Sequence, residues 1–279
     1  MKSIAKRVFD GCRRYLFTFF KWLICAVGIG IVCGMVGVGF HYCVDWCTDL
    51  RGEYPWFLFL LPLAGIVIVK LYRLMKMEDD GGTNHIFEAI RSGERVPLRM
   101  APLIFIGTAL THLCGGSSGR EGAALQIGGS VSAFFGGLLH FDAKSMRIIT
   151  MCGMSAVFSA LFGTPLTAAL FCIEVISIGV MYHSALMPCL VSALTAAFVA
   201  NAFKIEPLSL PTSWIPEALS LDLIWRVTML SVLCAVVSIL ICVLLHVMTR
   251  VYKKLFANPY IRIAAVGAMV AGFTILEGS

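Results

Sequence analysis

The chain has 279 residues, 59% of them apolar and only 14% charged, with a mean hydropathy of +0.88 and a formal net charge of +6. Ordinary soluble domains are about 25% charged, so this composition excludes a disordered chain, a collagen-like chain and an ordinary cytosolic enzyme. An all-α polytopic membrane protein fits. A membrane barrel does not, because its strands alternate polar and apolar residues over about ten positions, whereas residues 58–69 and 230–245 are continuous apolar runs.

In chain order, residues 1–21 carry Lys2, Lys6, Arg7, Arg13, Arg14 and Lys21 against Asp10 alone, which predicts a basic cytoplasmic N-terminus. The basic stretch is too extended, and the apolar stretch after it too long, for a cleaved signal peptide. A span needs about 20 apolar residues. Candidates are residues 22–44, 56–75, 101–114, 123–139 (rich in Gly, Ser and Ala), 148–178, 185–203, 223–248 and 261–276. Residues 148–178 are long enough for two short helices. The 45–54 loop carries Asp45, Asp49 and Glu53 against Arg51 and is predicted to lie outside. Residues 70–99 carry Lys70, Arg73, Lys76, Arg91, Arg95 and Arg99 and are predicted inside. The predicted organisation is a first transmembrane repeat over residues 22–203, an external linker over 204–222, and the start of a second, inverted repeat over 223–279. The first and second repeats share a pattern: segments 22–44 and 223–248 run in opposite directions, and each is followed by a Pro-aromatic pair, Pro55-Trp56 and Pro259-Tyr260. Inverted repeats are a common plan for transporters. Such a bundle is apparently truncated, because the second copy stops early.

Eleven cysteines with no CxxC pair do not form a disulfide framework. Those at positions 25, 33, 114, 152, 172, 234 and 242 sit in apolar runs and read as small hydrophobes. His41, Cys43 and Cys47 lack a nearby fourth ligand, so no metal site is expected. No basic stretch interleaves with aromatics, so no nucleic-acid partner is expected, and nothing points to a cofactor. His-Glu-x-x-His and paired intramembrane aspartates are absent, which argues against an enzyme.

The stretch richest in chemistry runs from Gly115 to Ser130, between two apolar segments. Arg120 and Glu121 lie in it at membrane depth, where one charge costs about 2.5–3.5 kcal/mol. Glycines ahead of a helix let backbone N–H groups converge, and the helix start adds partial positive charge, so the segment predicts an anion site. Glu121 can fill such a site as a tethered competitor, and its protonation or displacement would vacate it. The alternative is that Arg120 and Glu121 pair with neighbours to hold a bend, while the glycines serve packing.

Gly119-Arg120-Glu121-Gly122-Ala123, followed by Gln126 and Gly128-Gly129, resembles the signature of the CLC chloride channels and anion/proton antiporters. Gly153-Met154-Ser155-Ala156, Phe162-Gly163-Thr164-Pro165-Leu166 and Ile173-Glu174-Val175 are similar to the family's next two helices. The resemblance implies transmembrane transport of chloride or fluoride, by channel or by exchange with protons, gated by Glu121, and a homodimer in the bilayer. Anion-binding candidates are Gly119, Arg120, Gly122 and Ala123, with Gly81, Gly82, Thr83 and Asn84 upstream; Asn84 is equally placed to cap a helix. Three positions depart from the family. Ala123 replaces the usual Pro, Thr83 offers the only upstream hydroxyl (a replacement similar to the fluoride-exporting branch), and Val175 stands where an internal proton-relay glutamate is usual. Glu174 beside it is a candidate vestibule or relay group. The competing expectation is a membrane fragment that transports nothing without a complementary second half.

Overall fold

The structure, a computed structural model, describes residues 2–77, 82–94, 96–176, 181–205, 220–256 and 258–276. Among these it is entirely helical: α1 (Lys2–Glu53), a 3-10 helix (Pro55–Leu60), α2 (Leu61–Leu74), α3 (Thr83–Ser92), α4 (Met100–Leu113), α5 (Arg120–Leu138), α6 (Ala143–Phe162), α7 (Pro165–Glu174), α8 (His183–Ala202), α9 (Leu221–Leu255) and α10 (Pro259–Leu276). Among the described residues, five stretches are long and apolar enough to cross a membrane: Leu16–Glu53, Pro55–Leu74, Ala143–Phe162, His183–Ala202 and Leu221–Leu255. The chain is therefore a polytopic membrane protein.

One feature departs from the expected spans. α1 does not stop at residue 44; it stays helical through Glu53, so the acidic 45–54 segment is the last turns of a helix and not a loop. Its side chains are polar, but no Gly or Pro interrupts the backbone until Gly52. α4 and α7 have 14 and 10 residues, as short as the segments 101–114 and 148–178 predict. At 1.5 Å per residue these are about 21 and 15 Å long, too short for about 30 Å of hydrocarbon. Residues 148–178 divide as expected. Gly163 takes the left-handed conformation (φ +67°) that closes α6, and Pro165 opens α7, where its missing N–H costs nothing.

Two compact units result, residues 1–208 and 209–279. In the first, α6 is the centre and packs on α5, α8, α1 and α7. It carries small and apolar residues around nearly its whole circumference, as a fully enclosed helix must. Hydroxyls stitch α6 to α8: Ser159 donates to the Ala193 carbonyl (2.8 Å), Ser192 to that of Cys152 (3.0 Å), and Ser155 lies 3.1 Å from that of Cys189. Cys33, Cys152 and Cys172 are buried as small hydrophobes. In the second unit, α9 is apolar on every face and buries none of its residues, Cys234 and Cys242 included.

α5 and α6 touch backbone to backbone. A Cβ on Gly128 would fall within 3.0 Å of the Gly153 carbonyl, and one on Gly153 would meet Gly128 and Ser132 as closely. Small residues let helices approach this way where no hydrophobic force drives association. Gly39 has nothing within 4 Å of its Cβ position. Gly153→Ala and Gly128→Ala are therefore expected to cost about 1–3 kcal/mol by overpacking, read as a lower Tm in detergent, with Gly39→Ala neutral. Equal Tm values for all three would contradict this packing.

Candidate functional site

The crossing of α5 on α6 fixes where α5 begins. Beyond α4, Gly116 N–H bonds the Thr111 carbonyl (2.8 Å), and the half-buried His112 Nε2 lies 3.0 Å from the Ser118 carbonyl. The chain then extends at Gly119 (φ −62°, ψ 133°) and enters α5 at Arg120. No side chain caps that start. α3 begins in the same way: Gly82, at φ +64°, holds the N-cap position, again without a side-chain cap. The first N–H groups of a helix have no partner within it, and they carry the positive end of its dipole.

The two uncapped starts meet. A Cβ on Gly122 would lie 2.9 Å from Thr83 Oγ1, and Gln126 Nε2 lies 3.4 Å from the same hydroxyl. Around this contact is a pocket of about 330 Å3 lined by Thr83, Gly119, Gly122, Ala123 and Gln126, by Ser118, and by Thr108 and Thr111 of α4. Residues 119, 122, 123 and 126 share one face of α5, as the helical period dictates. Gln126 is buried, and its amide oxygen has no hydrogen-bond partner. Oxygen and nitrogen of an amide are assigned from the surrounding network. In either assignment one end meets Thr83 and the other is left to whatever fills the pocket.

The expected residues thus separate into groups. Gly119, Gly122, Ala123 and Thr83 line one pocket. Gly82 caps α3, so Asn84 falls in its first turn with an exposed side chain and is not the cap. Gly81 lies outside the described residues. Arg120 does not turn its guanidinium to the pocket: Nη2 donates to Asp45 Oδ1 of α1 (2.8 Å), whose Oδ2 pairs with His41 Nε2 (3.0 Å). Only its backbone N–H belongs to the helix start. Glu121 is exposed, with Oε2 folded back beside Gly119 (2.9 Å from that residue's Cβ position), so its carboxylate stands at the rim rather than inside. Glu174, the exposed last residue of α7, is not among the lining groups. The sequence names Gln126 in the motif and Asp45 in an acidic stretch but makes neither a residue of the site. The spacing from Gly122 to Gln126, one helical turn, was the available sign for the first; nothing in the sequence links Asp45 to Arg120.

The sequence profile of the family described as voltage gated chloride channel matches residues 63–277. The chain belongs to this family. It is 39% identical over 186 residues to a chloride/fluoride channel protein of Pseudomonas syringae pv. tomato, covering 66% of this chain and 41% of that protein. To the H(+)/Cl(-) exchange transporter ClcA of Citrobacter koseri it is 30% identical over 167 residues, 54% of this chain and 35% of the relative. Among solved structures, a CLC-type fluoride/proton antiporter superposes with a TM-score of 0.85 at 29% identity, over 93% of this chain and 66% of the other. A slow cyanobacterial Cl-/H+ antiporter superposes with a TM-score of 0.71 at 20% identity, a likeness of fold. The chain thus spans less than half of these two curated relatives. The all-helical CLC-like bundle expected from the sequence is the fold observed.

A bulky residue at position 122 would fill the space between α5 and Thr83. For a halide seated in this pocket, Gly122→Val is expected to weaken binding, measured by calorimetry in detergent, by about tenfold or more, since each lost hydrogen bond to a charged group is worth about 1.5–3 kcal/mol. Gly39→Ala should leave it unchanged. Unaltered affinity in Gly122→Val would place the halide elsewhere.

Proposed function

We propose that this chain forms the anion-binding half of a CLC-type transport protein that moves fluoride or chloride across the cell membrane, with Glu121 as the gate. The observation that carries the reading is the meeting of two uncapped helix starts, α3 and α5, at one polar pocket. Backbone N–H groups there solvate a halide without a fixed positive charge nearby, because Asp45 neutralises the guanidinium of Arg120. An anion so held is released more readily than one paired with an arginine. The Thr83 hydroxyl and the Gln126 amide complete the donor set.

Glu121 reaches the pocket mouth from α5, and rotation about its side chain is enough to exchange an outward carboxylate for an inward one. As an anion it competes with the halide; protonated, it does not. That coupling is what an anion/proton exchanger requires. Glu174 is the candidate for the far end of a proton route. The reading is of a transporter without a cofactor and not an enzyme. It extends to a homodimer and to a cytoplasmic N-terminus, the side that the basic residues of 1–21 favour. Fluoride is supported by the named substrates of the Pseudomonas relative and of the antiporter structure, and by Thr83 at the upstream hydroxyl position.

A second reading rests on α9, which buries none of its residues: further protein surface covers it, and the chain transports only when so completed. Reconstitution tests both. In liposomes, alone or co-expressed with a complementary second repeat, the protein should carry fluoride or chloride with flux that depends on pH. Glu121→Gln should abolish the accompanying proton flux and flatten the pH dependence of anion flux. The same pH-dependent flux in wild type and Glu121→Gln would overturn the gating role.

A further inference from the structure

α3 carries a second charged feature at its other end, about 12 Å from Thr83 along its axis. Arg91, in its last turn, donates from Nε to the carbonyl of Ile176, just beyond α7. Arg147 of α6 donates from Nη2 to the carbonyl of Arg91 (2.8 Å). A guanidinium has five N–H donors, and these bonds use one on each. The Nε of Arg147 is buried and has no partner. Among the described residues no carboxylate lies within 4.0 Å of either arginine. Both line a pocket of about 270 Å3 whose other walls include Tyr182, Met151 and Ile173.

Capping of helix ends explains the two carbonyl contacts. It does not explain why the exposed Arg91 and the half-buried Arg147 line one pocket with no carboxylate beside them among the described residues, or why the Nε of Arg147 is buried unmet. An anion between two such cations is attracted by both. Paired planar guanidiniums match the oxygens of a phosphate, which accept parallel N–H bonds. The flanking segment, residues 70–99, is the one whose Lys and Arg predict a cytoplasmic location, and the leaflet there carries the anionic lipids.

We propose that this pocket binds a phosphoryl oxyanion, from an anionic phospholipid headgroup or from free phosphate, held between Arg91 and Arg147. The site is separate from the pocket at Thr83 and stands whether or not the transport reading does. The test is thermal unfolding of the full chain, delipidated in dodecyl maltoside, at constant chloride and ionic strength. It is titrated with dioctanoyl phosphatidylglycerol, with inorganic phosphate, and with the phosphate-free dioctanoylglycerol. A saturable rise in Tm with phosphatidylglycerol alone assigns the headgroup, and one with inorganic phosphate assigns the free ion. In either case Arg147→Gln and Arg91→Gln should shift half-saturation about tenfold or more. Arg147→Lys keeps the charge and a donor for the Arg91 carbonyl but loses the fork. It should weaken binding several-fold, and it serves as the test if the Gln variants do not fold. No saturable shift with either phosphate source, a shift of equal size with dioctanoylglycerol, or the same half-saturation in wild type and variants would overturn the site.

Discussion

The structure turns on two helix starts that face one another with no side chain to cap either. In water such N–H groups find solvent. At membrane depth an unmet backbone group costs several kcal/mol, so α3 and α5 can end there only around something that accepts hydrogen bonds. The rest of the first unit serves to hold that arrangement. Gly128 and Gly153 let α5 sit directly on α6, which fixes its axis; Asp45 draws the Arg120 side chain toward α1, which pins its first turn. The pocket is thereby positive through aligned dipoles and not through a net charge.

Short helices follow from the same constraint. A helix that crosses the bilayer completely offers no N–H groups at the middle. α4 and α7 stop part-way, and the glycine-rich turn from Cys114 to Gly119 brings the chain back into α5. Irregular backbone of this kind is tolerated in a membrane only where protein encloses it or a cavity adjoins it. Here the second condition holds, since the turn contributes Ser118 and Gly119 to the pocket wall. The buried hydroxyls of α6 and α8 belong to the supporting frame, where small side chains bring the helices close enough for hydroxyl-to-carbonyl contact.

Much of this was legible in the sequence, because its local chemistry allows few alternatives. Gly163-Thr164-Pro165 can end one helix and begin another and can do little else. The glycine-flanked Arg120-Glu121 pair placed a helix start, and with it Gly119, Gly122 and Ala123 of one pocket. Other features were not legible. The acidic tail of α1 reads as a loop because charge is a cue to solvent exposure and not to backbone conformation. Arg120 reads as an anion ligand because its partner, Asp45, lies 75 residues away and on another helix. The rim position of Glu121 depends on a side-chain torsion that no pattern encodes. Gln126 was visible in the motif, yet its role emerges only when α3 arrives to set Thr83 beside it.

The central claim is that the facing starts of α3 and α5 hold a halide. Anomalous diffraction from crystals of the protein grown in bromide tests it most directly, since bromide takes a halide's place and marks its own position. The account predicts a bromide peak in the pocket among Thr83, Gly119, Gly122 and Gln126, within hydrogen-bonding reach of the first N–H groups of α5. Bromide peaks only elsewhere in the molecule, with that pocket filled by water or closed by side chains, would contradict it.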